Sequence, residues 1–74
     1  MTEANLIAKR LPPDISVRVI DYLGGSAAVS RYCKVRLSAV SQWKQNGMPR
    51  ARLMYLREKF KDLPVMKSPE VAGF

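Results

Sequence analysis

Few residues in this 74-residue chain are equipped for covalent chemistry. Histidine is absent and cysteine occurs once, at Cys33. The chain therefore lacks the usual Cys/His zinc ligands, the second thiol of a disulfide, and the partner for a Ser-His or Cys-His nucleophile. No acid-base pair, metal-ligand set or phosphate loop stands out, which argues against an enzyme and against any metal or cofactor. Positive charge is what the chain does have. Thirteen Lys and Arg stand against six Asp and Glu, a formal net charge of +7 with a pI near 10.1. Arg31, Lys34, Arg36, Lys44, Arg50, Arg52 and Arg57 follow one another between Asp21 and Glu58 with no acid among them. That placement points to a polyanionic or acidic partner, with nucleic acid first. If roughly four to six of these groups met phosphates, counterion release would give log affinity a slope of about −4 to −5 against log salt.

Such side chains need a scaffold, and the composition limits its kind. A chain of 8.4 kDa with 47% apolar and 26% charged residues makes one small domain, for which a compact all-α fold is the economical solution. The longest uninterrupted apolar stretch, Leu53 to Leu56, is too short to cross a membrane. The N-terminus carries Glu3 and lacks the layout of a secretory signal. A cytoplasmic protein with no membrane partner is the expectation.

Proline, glycine and apolar spacing divide the chain. Residues 1–13 hold Leu6, Ile7 and Leu11 beside Lys9 and Arg10, then close on two prolines. This reads as a mobile arm whose apolar and basic residues are candidates for docking on a protein partner. Asp14 reads as the cap of a first helix to about Leu23, with Ile15, Val19 and Leu23 on one face and Gly24 and Gly25 ending it. Ser26 reads as the cap of a second helix reaching Cys33, with Val29 and Cys33 facing inward. A third covers roughly residues 37–45, where Val40 and Trp43 share a face that Ser38, Ser41, Gln42 and Gln45 do not. Pro49 suits the first turn of a fourth helix, with Leu53, Leu56 and Phe60 as its apolar stripe. Tyr22, Tyr32 and Tyr55 read as anchors at the edge of the core. The expected layout is thus four helices over residues 14–63, with a disordered tail over 64–74.

Two short helices joined by a tight turn can lay one helix in a DNA major groove while the other braces the backbone. Val29, Cys33, Val35, Val40 and Trp43 are the apolar positions such a unit needs, and all five are apolar. The segment from Ile20 to Trp43 resembles the helix-turn-helix of phage Cro-type regulators and the related YdaS-like proteins. The likeness is carried by Ile20-Asp21-Tyr22-Leu23-Gly24, by Ala28-Val29, and by the run from Ser38 to Lys44. It extends over about residues 15–57 and implies a Cro/lambda-repressor-like fold. It further implies that Arg36, Leu37, Ser38, Ser41 and Gln42 face the bases, with Ser26 near a phosphate. Arg31, Lys34, Lys44 and Arg50 are the cationic candidates for further phosphate contacts.

Three positions depart from the family. Lys34 stands where glycine is usual in the turn, so its backbone must either adopt the left-handed conformation or take another turn. Ser30 replaces alanine and brings a hydroxyl that needs a partner one turn back. Arg36 replaces a small capping residue at the positive end of a helix dipole, where a nearby anion would suit it. Leu37 offers only apolar contact, so hydrogen-bonded base reading would rest mainly on Gln42, which can pair doubly with adenine. The expected function is that of a phage transcription regulator, a Cro-like repressor binding operator DNA as a homodimer. The alternative is a regulator that binds host bacterial RNA polymerase through the N-terminal arm and the basic surface, inhibiting initiation or acting in antitermination.

Overall fold

Prolines and glycines mark most of the helix boundaries. A computed structural model describes residues 10–73, among which all regular structure is helical. Helix α1 (Pro13–Tyr22) follows Pro12, with Pro13 at its first position, where a missing N–H costs nothing. Asp14 does not cap it. The carboxylate lies inside the first turn and makes no capping bond, so its contribution is a negative charge at the positive end of the dipole. At the other end, Gly24 N–H donates to Asp21 O at 3.1 Å and Gly25 N–H to Ile20 O at 2.9 Å. These paired reverse bonds close a helix most cheaply on positive-φ glycine, and Gly24 has φ 108°.

Helix α2 (Ser26–Cys33) begins at Ser26 rather than being capped by it, because Gly25 occupies the cap position. Helix α3 (Leu37–Asn46) ends at Gly47, and α4 (Arg50–Lys59) follows Pro49, which stands just outside the helix rather than in its first turn. Four helices and a disordered tail were expected, but six helices are found among the described residues. The segment from Pro64 folds into α5 (Pro64–Lys67) and α6 (Pro69–Ala72). Both short helices open on a proline, and Val65, Met66 and Val71 are buried in the common core. Arg57 Nη1 donates to the carbonyls of Val71 at 2.9 Å and Ala72 at 3.3 Å, satisfying groups at the end of α6. The lesson is local. Proline spacing that denies a long helix still permits two single turns when each supplies an apolar residue to a waiting surface.

Helix α1 packs on α3, α3 on α2, α2 on α4, and α5 on α1. The Cα radius of gyration of 11.5 Å is close to the ~11 Å expected of one packed domain of this length. Val19, Ile20, Val29, Val40, Trp43, Leu53 and Leu56 fill the interior as their spacing requires. Tyr32 is half-buried, its ring tilted against Phe60 with centroids 4.9 Å apart. Tyr22 and Tyr55 are not core-edge anchors; they are 51% and 46% exposed. No described helix is long and apolar enough to cross a membrane.

The start of the described chain is fastened. Leu11 is fully buried, its N–H donating to Met48 O at 2.9 Å, and Arg10 Nη1 donates to Gly47 O at 3.0 Å. Leu11 is therefore core rather than arm, a correction to its reading as a partner-docking residue, and Arg10 is engaged beside it. Leu6, Ile7 and Lys9 lie outside the described residues. Ser16 is the buried polar residue that completes the junction. Its hydroxyl donates to Leu11 O at 3.0 Å and accepts from Met48 N–H at 2.8 Å. Gly47 makes the close crossing possible. Its φ is 100°, and a Cβ there would fall onto the Leu11 carbonyl oxygen. Ser16→Ala leaves a buried donor and a buried acceptor unpaired and is expected to cost about 1–3 kcal/mol in urea unfolding. Gly47→Ala should cost at least as much, whereas Gly25→Ala, which meets no neighbouring atom, should suffer only the strain of its positive φ.

Candidate nucleic-acid interface

The connection between α2 and α3 is three residues long, 34–36, and its conformation is decided at Lys34. This is the single non-glycine residue with positive φ among those described, at φ 56° and ψ 45°. Lys34 N–H donates to Arg31 O at 3.3 Å and Val35 N–H to Ser30 O at 3.0 Å, so the backbone accepts the left-handed conformation instead of choosing another turn. Val35, half-buried, then packs against the core and commits the chain to its new direction. The Ser30 hydroxyl finds its partner one turn back, donating to Ala27 O at 2.7 Å. Cys33 is buried below the turn. Burial pushes its thiol above the ordinary range, an effect the nearby Arg52 charge partly offsets.

Helix α3 turns Val40 and Trp43 inward against α1 and α2, and this fixes what it presents outside. At about 100° per residue, Ser38, Ser41 and Gln42 fall on the opposite face and Leu37 at its edge, and all four are exposed. Arg36, in extended backbone just before the helix, is exposed as well, and no side chain caps this N-terminus. All five base-contact candidates are thus exposed on or at the edge of one side of α3. Gln45 belongs with them: it is exposed and sits near the middle of the same face. The signal that would have included it is the helical period, since 38, 41, 42 and 45 share one stripe.

The phosphate candidates differ in exposure. Arg31 and Lys34 are exposed, while Ser26, Lys44 and Arg50 are half-buried. The Nε of Arg50 is buried without a hydrogen-bond partner. Arg52, not among the candidates from sequence, is exposed on α4 and lies near Cys33, beside the turn. Arg57 leaves the cationic group, since its guanidinium is engaged at the end of α6. Among the described residues the one ion pair joins Arg18 to Glu70 at 2.8 Å, at the surface. Among the described residues, the cations of α2, the turn and α3 thus form no ion pair. No protein-family model, curated protein or solved structure matches the chain.

Two expectations follow from the turn. Lys34→Gly removes left-handed strain and should raise stability by about 0.5–1 kcal/mol, partly offset by the freedom glycine gains in the unfolded chain. A folded-state thiol pKa above the unfolded one contributes stability that is present below the ordinary value and lost as pH rises through the folded value. Cys33 should accordingly resist thiol reagents at neutral pH, reacting at a rate that rises in step with unfolding in urea. Rapid native-state labelling would contradict its burial.

Proposed function

We propose that α2, the turn and α3 form a helix-turn-helix and that the chain is a DNA-binding transcription regulator of the Cro-like kind. In this reading α3 lies in the major groove of double-stranded DNA and α2 braces against the backbone. The observation that carries it is the outward face of α3, where Ser38, Ser41, Gln42 and Gln45 are exposed between Arg36 and Lys44, two cations that form no ion pair among the described residues. Arg36, Leu37 and Ser38, at the N-terminal end of α3, are in the position from which recognition helices reach base edges. Gln42 and Gln45 supply amides for doubly bonded contact with adenine. Arg31, Lys34, Lys44, Arg50 and Arg52 supply charge for phosphates. Arg36, unfavourably placed at the positive end of α3, gains from the anion that a DNA backbone brings. Repression follows from occupying an operator, and two copies on paired half-sites would provide the selectivity that one short helix lacks.

Exposed Tyr22, Met54 and Tyr55, all outside α3, favour a second reading in which the partner is a protein such as bacterial RNA polymerase. Competition binding separates the two. Selection from a randomised duplex pool should yield a sequence bound at least tenfold more tightly than random DNA at moderate salt. Gln42→Ala should remove about 1–3 kcal/mol of that preference while leaving random-duplex binding unchanged. Arg31→Ala should weaken both alike and lower the salt slope by about one. If no duplex outcompetes random DNA while purified polymerase is retained, the second reading replaces the first.

A further inference from the structure

A single exposed leucine is ordinary on a protein surface. Leu37 differs in where it stands. It is the first residue of α3, 52% exposed, directly after Arg36 and at the edge of the face that carries Ser38, Ser41 and Gln42. The core contacts of α3 are made by Val40 and Trp43, and Leu37 is not part of the core cluster. The side chain has neither donor nor acceptor, so it can form no hydrogen bond to a base edge. Among the groups lining a DNA major groove, one is apolar, the methyl on C5 of thymine; every other distinguishing group is a donor or an acceptor.

Resting on the DNA-binding reading above, we propose that Leu37 is a specificity-determining residue that reads the 5-methyl group of a pyrimidine in the major groove. The left-handed Lys34 and the half-buried Val35 set where α3 begins, and the Val40–Trp43 face sets its rotation. Leu37 therefore meets the groove at a fixed place and not as a freely swinging apolar tip. The ligand chemistry is a 5-methylpyrimidine. Thymine satisfies it, and so does 5-methylcytosine where the other contacts allow, whereas uracil and unmodified cytosine leave the leucine facing a gap.

Replacing thymine by deoxyuridine deletes that one methyl and changes no base-pairing group. Duplexes selected by the wild-type protein from a randomised pool are remade with deoxyuridine at one thymine position at a time, then bound by wild type and by Leu37→Ala. Because Leu37 is largely exposed, the variant should fold, which circular dichroism checks. One thymine per bound site is expected to be sensitive, its loss of methyl weakening wild-type binding about fourfold, as one methyl withdrawn from apolar contact would. Leu37→Ala should bind the thymine and deoxyuridine duplexes equally at that position. If a preferred duplex is found but wild type and Leu37→Ala respond alike to every deoxyuridine, methyl reading is overturned while the DNA-binding reading stands. If selection yields no preferred duplex, sequence-specific DNA reading fails and this inference goes with it.

Discussion

Three segments meet at one hydroxyl. Ser16 on α1 accepts the N–H of Met48 and donates to the carbonyl of Leu11, and the close approach of Gly47 to residues 10 and 11 lets those bonds form. A small core depends on such a junction, because a chain of this length hides a smaller share of its surface than a large domain does. The bonds tie the end of α3 to the start of α1. Leu11 and Met48 then enter the core together, fully buried. Without it, α3 would be held by Val40 and Trp43 alone, and both its tilt and its rotation would be less determined.

From that anchoring follows the chemistry of the surface. A helix whose inner face is fixed has its outer face fixed too, and on α3 that face is polar, acid-free and flanked by cations. The charges that fold the protein and the charges that remain free are different residues. Arg10 and Arg57 are engaged with backbone carbonyls and Arg18 with Glu70, whereas Arg31, Lys34, Arg36 and Arg52 are exposed around the turn and beside it. Unopposed like charges held close together cost stability, and that cost is relieved when an anion arrives.

The helices themselves were legible because their signals are local. Apolar spacing located the inner faces of α1, α2 and α3, and the glycines at 24, 25 and 47 marked ends that backbone geometry confirms. Lys34 was legible as a conflict, a side chain where the turn favours none, and the backbone resolved it by accepting the strain. Two things were not legible, for one reason. The burial of Leu11 and the folding of 64–72 depend on partners distant in sequence: Met48 and Gly47 in the first case, Arg57 and the α1 surface in the second. Short segments with prolines and a few apolar residues look alike whether or not a complementary surface awaits them. Of the candidate interface, exposure of Ser38, Ser41, Gln42 and Gln45 was readable from period alone. The engagement of Arg57 and the place of Arg52 beside the turn were not.

The account turns on the outward face of α3 being the surface that meets nucleic acid. Titrating isotopically labelled protein with a short duplex, and following each backbone amide by NMR, tests that directly. The account predicts perturbations concentrated at residues 36–45, with a border at Arg31, Lys34 and Arg52 and silence at Met54 and Tyr55. Shifts centred on Met54 and Tyr55, or an unchanged spectrum at low salt, would contradict it.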